Sequence, residues 1–331
     1  MSDLALVTGA SGLLGGNLLI HLLSKGIRVR GLFRTENSIA HLQAFPIEWV
    51  RGEVNDRQSL DQACKGVDVV FHCAARVGFG PLSRAEADLV NVEGTRHVAD
   101  AALSAKVGRL VHCSSVAALG LLGDRHLANE DTTYNWAETA LENEYSRTKH
   151  EAQELILRMV REKGLDAVVV NPGTMFGAYD SKPSSGAIIV AIAKKQALAS
   201  PSGRNCFVSV TDVAEGMFLA WKKGQTGECY ILGGENLGYH EFFSRVARLA
   251  GVAPPRFILP DFVARLGGLV GDLGSFLTRH EAGVTSSTVK VACVNHCFDS
   301  AKAQERLGYH YGPVDGGITQ ALEWFRQTGR L

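Results

Sequence analysis

The sequence predicts an α/β protein with a doubly wound parallel sheet and a smaller, mainly helical C-terminal lobe. Three observations predict it. Short runs in the first half are apolar from end to end, as strands covered on both faces must be. Segments with helical periodicity separate them, the alternation of a parallel sheet flanked by helices. A glycine-rich turn joins the first run to the first helical segment.

Taken in order, the expected strands are 4–8, 28–33, 47–51, 67–72, 109–113 and 166–171. The helical segments between them are 13–24, 57–64, 84–104 and 144–162. After Asn171-Pro172-Gly173 the rhythm changes: a loop rich in Gly, Ser and Pro leads to a helix at 187–197. Apolar runs at 206–210 and 228–232 are expected to return to the sheet, and helices near 240–250, 260–277, 299–307 and 315–328 complete the chain. The expected division is a nucleotide-binding unit of 1–172 that recovers 206–235, and a substrate lobe made of 173–205 and 236–331. The apolar, glycine-rich 260–277 segment reads as a cap helix against the first lobe, with contact to lipid the alternative.

Composition excludes several classes. With 34 Lys+Arg against 34 Asp+Glu the chain has no net charge, whereas a nucleic-acid binder needs a basic face. No run approaches the ~20 apolar residues of a membrane span. The apolar opening, 4–23, lacks a basic start and is broken by polar residues and glycines, so a cytoplasmic protein is expected. Seven scattered cysteines suggest no disulfide framework. Cys293, His296 and Cys297 resemble half a metal site, but no second pair with zinc-like spacing completes it, and no metal is expected. The 36 glycines against nine prolines serve folded backbone rather than disorder.

The first strand runs into Thr8-Gly9-Ala10-Ser11-Gly12-Leu13-Leu14-Gly15 and then a helix. Glycines at three-residue steps in that position permit a tight turn and close approach of a pyrophosphate. The helix N-terminus offers it free N–H groups and the positive end of a dipole. Gly9, Ser11, Gly12, Leu13, Leu14 and Gly15 are therefore candidate cofactor contacts of a Rossmann-type dinucleotide site. The end of the second strand selects the dinucleotide, because an acidic residue binds a ribose 2′-hydroxyl and a basic one a 2′-phosphate. Here it is Arg34, which favours NADP(H); Glu36 nearby keeps NAD(H) open. Glu53-Val54 and Ala74-Ala75 end the third and fourth strands, facing the same crevice.

Ser114-Ser115 follows the fifth strand, and Tyr145 and Lys149 stand at i and i+4 on the next helix, so both project from one face. An ammonium beside a phenol favours the phenolate, and such a tyrosine can exchange a proton with an alcohol or carbonyl. A serine hydroxyl opposite would orient the same oxygen.

With these motifs in place, the chain resembles the extended short-chain dehydrogenases/reductases. The branch is that of NAD(P)-dependent epimerases, dehydratases, dihydroflavonol reductases and 3β-hydroxysteroid dehydrogenases. Further matching stretches are 68–75, Asn91-Val92-Glu93-Gly94-Thr95, Asn171-Pro172-Gly173, 210–214 and 298–303. The resemblance implies Tyr145 as acid/base and Lys149 holding the nicotinamide ribose. It implies Ser115, rather than Ser114, polarising the carbonyl, with Asn91 bracing the helix and Asn171 and Pro172 bordering the nicotinamide. Asp212 reads as a helix N-cap. Sugar dehydratases of the family carry an Asp-Glu pair after the catalytic hydroxyl, whereas Ser115 precedes Val116-Ala117-Ala118.

The expected function is an NADP(H)-dependent oxidoreductase interconverting a ketone or aldehyde and an alcohol. An NAD-dependent nucleotide-sugar epimerase is the alternative chemistry, and a non-catalytic dinucleotide-sensing protein the alternative class. Met175, Phe176, Tyr179, Phe262, Leu266 and Leu269 are candidate pocket walls, suiting an apolar or aromatic substrate. The same resemblance implies helices 84–104 and 144–162 as the candidate faces of a homodimer.

Overall fold

The structure is a computed structural model describing residues 3–77, 83–123, 126–139, 141–181, 183–266, 268 and 286–331. Seven parallel strands form its main sheet. They are β1 (Leu4–Thr8), β2 (Arg28–Phe33), β3 (Glu48–Arg51), β4 (Val69–His72), β5 (Arg109–Cys113), β6 (Ala167–Pro172) and β10 (Cys229–Leu232). Their spatial order is β10-β6-β5-β4-β1-β2-β3, so the winding direction reverses between β1 and β4. That switch point opens a crevice at the carboxyl ends of the strands, where ligands bind in such sheets.

The apolar runs are explained by burial on both faces. In β1, Ala5 and Val7 join one core with Leu18, Leu22, Val111 and Met217. Leu4 and Leu6 join the other with Leu60, Val98, Ile156 and Val169. Helices α1 (Leu13–Ser24) and α7 (Val210–Lys223) cover the first face. Helices α2 (Arg57–Ala63), α4 (Gly94–Ser104) and α5 (Glu144–Lys163) cover the second. The expected helix 84–104 is interrupted: α3 (Arg84–Ala87) passes into a π-helical turn, Asp88–Glu93, before α4 begins. A π-turn shifts the register of the side chains it carries, here Asn91, and such turns recur at functional sites.

The expected return of 206–235 to the main sheet is divided. Cys229–Leu232 pairs with β6, Val169 opposite Cys229. The earlier run lies in β9 (Arg204–Ser209), which pairs instead with β7 (Thr174–Phe176), β11 (Glu235–Gly238) and β13 (Asn295–His296). The second lobe thus has a small mixed sheet of its own beside its helices. Phe207 lies buried against Phe242, rings stacked 4.1 Å apart, in a core with Phe176, Ile318 and Phe325. That burial commits β9 to this sheet. Its helices are α6 (Gly186–Ala193), α8 (Tyr239–Ala250), α9 (261–266), α10 (Ser286–Ala292) and α12 (Asp315–Gln327), whereas α11 (Ala301–Leu307), expected in the substrate lobe, buries Ala303 and Leu307 in the core of the main sheet beside α7 and β10. A two-stranded ladder joins β8 (Ala199–Ser200) to β12 (Phe257–Ile258).

Of the expected 260–277 helix, 261–266 is helical, and the stretch 269–277 lies outside the described residues. Asp212 is not an N-cap: α7 begins two residues earlier behind Ser209, and the Asp212 carboxylate accepts from the Gly312 N–H at 3.0 Å. Among the described residues no helix is long and apolar enough to cross a membrane.

Candidate active site

The turn between β1 and α1 is built for close approach. Gly9 adopts φ +68°, and a Cβ there would lie 2.6 Å from the Ala74 backbone nitrogen. At Gly15 a Cβ would strike the Gly9 carbonyl oxygen. Both positions therefore require glycine, one for its backbone angle and its neighbour, the other for helix–turn contact. Gly12 caps α1 without any side-chain acceptor, so the N–H groups of Leu13, Leu14 and Gly15 have no partner within the helix. Ser11 is half-buried, its carbonyl accepting from Ser181 Oγ at 3.2 Å. Arg34 stands exposed just past β2, and Glu36 follows it in an exposed 3-10 turn. Glu53 is exposed, whereas Val54 is buried against Gly94. Ala74 and Ala75 are half-buried at the end of β4.

A buried hydrogen-bonded chain runs beneath this crevice. The Ala74 N–H donates to Thr8 Oγ1 at 3.3 Å, and Thr8 Oγ1 lies 2.7 Å from His72 Nδ1. His72 Nε2 lies 2.9 Å from Thr95 Oγ1, whose own proton goes to the Asn91 carbonyl at 2.6 Å. Thr95 must then accept, which assigns the imidazole proton to Nε2 and makes Nδ1 the acceptor from Thr8. Burial, with the Lys149 charge, pushes the His72 pKa down to about 3 and keeps the ring neutral. From the π-turn, Asn91 Nδ2 donates to Thr148 Oγ1 at 3.0 Å, and Asn91 Oδ1 accepts from the Arg76 N–H at 2.7 Å. The chain ties the glycine turn, the end of β4 and α5 into one unit.

Helix α5 starts at a fixed place. The Asn143 side chain accepts from the Ser146 N–H at 2.9 Å, and Ser146 Oγ accepts from the Asn143 N–H at 3.1 Å. Gly164 closes the other end in the left-handed conformation. Tyr145 is thereby held half-buried in the first turn. Lys149 is buried, its Nζ donating to the Cys113 carbonyl at 2.9 Å and lying 6.0 Å from the centre of the Tyr145 ring. Arg147 reaches sideways to Asp88, Glu144 and Glu151, fastening α5 to the π-turn.

Ser115 caps a 3-10 turn, Val116–Ala118, its Oγ accepting from the Ala117 N–H at 3.2 Å. That engagement leaves its own proton to donate. Asn171 Nδ2 donates to Gln153 Oε1 at 2.7 Å and to the Ser115 carbonyl at 2.9 Å. Asn171 Oδ1 and Ser114 Oγ are buried polar atoms with no partner among the described residues. Pro172 ends β6 beside them. A dinucleotide fits these residues: a cradle that any Cβ would fill, free helix N–H groups, and polar atoms waiting at the ends of β5 and β6.

Beyond Ser115 lies an apolar cluster of Val116, Leu119, Leu121, Trp136 and Phe298, with Ala117, Leu141 and Val291 packed on it. Of the expected pocket walls, Phe176 is wholly buried in the core of the second lobe, and Tyr179 packs on Trp324 at 4.9 Å. Met175 is half-buried, Phe262 and Leu266 are exposed, and Leu269 lies outside the described residues. Sequence motifs alone do not single out His72, Thr95 or Gln153 as individual sites. Their signals were a polar residue in an apolar strand, and a polar residue at i+4 from Lys149. Near Cys293 and Cys297, His296 is buried, its Nδ1 3.2 Å from the Val294 carbonyl. Among the described residues no group of three or more His, Cys, Asp or Glu side chains could hold a metal.

Known proteins resemble this chain over most of its length. The model of the NAD dependent epimerase/dehydratase family matches residues 5–233. A putative dihydroflavonol 4-reductase of Synechocystis is 32% identical, covering 99% of this chain and 96% of its own. A Stigmatella aurantiaca enzyme, 4-hydroxy-2-methyl-3-oxo-4-farnesyl-3,4-dihydroquinoline-1-oxide ketoreductase, is 31% identical over 98% of this chain and 96% of its own. The crystal structure of gox2253 superposes with a TM-score of 0.85 at 37% identity, covering both chains completely.

Proposed function

Because the chain belongs to the NAD-dependent epimerase/dehydratase family and is an NAD(P)-dependent oxidoreductase, we propose that it reduces an apolar or aromatic ketone or aldehyde with NADPH. One observation carries the reading: the Lys149 ammonium is fixed by the carbonyl of Cys113, two residues before Ser115, and lies 6.0 Å from the centre of the Tyr145 ring.

In this reading the glycine turn and the N–H groups of Leu13 and Leu14 hold the pyrophosphate. Arg34 holds the 2′-phosphate, Glu53 and Val54 border the adenine, and Ala74 and Ala75 let the cofactor lie against backbone. Asn171 and Pro172 border the nicotinamide, with Asn171 Oδ1 left to accept a hydrogen bond. The bound cofactor supplies the hydride. Ser115, already accepting from Ala117, donates its hydroxyl proton to the substrate oxygen. Tyr145 delivers the proton that completes the alcohol. Lys149 spends one of its three N–H bonds on Cys113, leaving two for the cofactor ribose. The apolar cluster beyond Ser115 supports an apolar substrate, as do the substrates in the names of the two reductases.

The test is titration with NADPH and NADH followed by a panel of carbonyl compounds, read by NADPH absorbance. Turnover of an apolar ketone with NADPH is expected. Release of a tightly held, non-exchanging NAD on denaturation would instead identify an epimerase.

A further inference from the structure

We infer that the second lobe carries a docking surface for an anionic membrane, centred on β12 and α9. Its use in collecting a substrate dissolved in the bilayer rests on the apolar substrate proposed above; the docking does not.

Eleven large apolar side chains are exposed among the described residues, and six of them fall on one short stretch of surface. Leu198 is 74% exposed, Phe257 67% and Phe262 68%, joined by Ile258, Val263 and Leu266. The residues adjoin one another: the Arg256 N–H donates to the Leu198 carbonyl at 3.2 Å, and Phe257 pairs with Ala199 in the β8–β12 ladder. On α9, Phe262 and Leu266 share one face at i and i+4, while Ala264 turns inward and is buried. Scattered exposed apolar residues need no explanation, but a contiguous group of this kind marks an interaction site.

Charge selects the partner. Lys194 and Lys195 end the turn after α6, Arg256 precedes Phe257, and Arg265 lies between Phe262 and Leu266. All four are exposed, and none forms an ion pair among the described residues. Arg147 and Arg245, by contrast, are surrounded by carboxylates. The Asp261 carboxylate, bonded to Ser202 Oγ, keeps its negative charge and is the one acid among residues 194–198 and 256–266, against these four cations. An apolar centre with an unneutralised basic rim, on a chain of zero net charge, matches a lipid surface with acidic headgroups. A second copy of this chain fits less well, because a two-fold contact would bring the same positive rim against itself.

The experiment is sedimentation of the full chain with vesicles of phosphatidylcholine alone and of phosphatidylcholine with phosphatidylglycerol. Binding to the acidic vesicles should exceed binding to the neutral ones by about ten-fold and weaken at high salt. The double variant Leu198→Ser/Phe257→Ser should lose about ten-fold of that binding while turning over a water-soluble ketone unchanged. Arg256→Glu should lose binding without any loss of thermal stability. Equal recovery with and without acidic lipid would overturn the inference. So would a concentration-dependent dimer abolished by the double variant, which would name a second copy as the occupant. A large fall in Tm for the double variant without vesicle binding by the parent would mean the patch packs within the chain. Vesicle binding is read without substrate, so docking that survives while no apolar carbonyl is reduced would sink the substrate reading alone.

Discussion

Lys149 places its ammonium nitrogen 2.9 Å from the Cys113 carbonyl oxygen, joining α5 to the end of β5 at the point where Ser114 and Ser115 begin. A charged donor bound to a buried carbonyl is held by more than a neutral hydrogen bond would supply. The amine therefore cannot wander, and the ring of Tyr145 one turn away is set against it.

Tyr145→Phe removes the proposed proton donor while keeping the ring. Turnover of an accepted ketone should fall about 10²- to 10⁴-fold, the usual worth of a positioned acid. NADPH binding, followed by fluorescence titration, should change little. Full turnover in this variant would refute the mechanism.

Arg34→Ala tests dinucleotide choice. A charge-assisted bond to phosphate contributes about 1.5–3 kcal/mol, so the Kd for NADPH should rise roughly ten-fold or more while that for NADH stays put. If the parent binds NADH more tightly and the variant keeps that preference, the 2′-phosphate assignment fails.

Gly9→Val forces a branched side chain into a left-handed backbone and onto the Ala74 nitrogen. Loss of measurable dinucleotide binding by calorimetry is expected, because the turn can no longer lie close to β4. Undiminished affinity would show that the turn does not cradle the cofactor.

Acid should unfold the protein through its buried imidazoles. Burial lowers His72, helped by the Lys149 charge, to about 3, and lowers His296 to about 4, each from an ordinary value of 6.5. Both groups are neutral when folded, and the unfolded chain takes up their protons first. Their contribution to stability is complete above pH 6.5 and is lost as pH falls towards those lower values. The loss is about 1.4 kcal/mol per pH unit for each ring. Urea midpoints between pH 7 and pH 4 should show this slope, and His72→Asn should reduce it by about one proton. An unchanged slope in that variant would mean His72 is not the titrating group.

Much of the fold was readable because each strand carries a pattern only two-sided burial explains. Leu4–Thr8 and Arg28–Phe33 have the bounds expected of them. The π-turn at Asp88–Glu93 was not readable: its residues keep helical periodicity, and only the bonds of Asn91 to Arg76 and Thr148 distinguish the shifted register. For β9, an apolar run fits either sheet, and the choice depends on Phe207 meeting Phe242 far along the chain. Phe176 misled as a pocket wall for the same reason, since composition does not say which aromatic residues turn inward. The residues of the site were legible where spacing alone joins them, as with Tyr145 and Lys149. His72, whose partners Thr8 and Thr95 come from two other elements, needed the folded chain.

The pairing of β10 with β6 makes the two lobes inseparable by a single cut. Everything from Gly173 to Glu228 is spliced between neighbouring strands of one sheet. A fragment ending at Pro172 would leave Val168 and Val170 on an open, apolar strand edge, an invitation to aggregate rather than a minimal nucleotide binder. Grafting a foreign second lobe onto this scaffold therefore demands at least two junctions, one on either side of β10. Recombination of such genes at one crossover would yield chimaeras with a mismatched sheet edge.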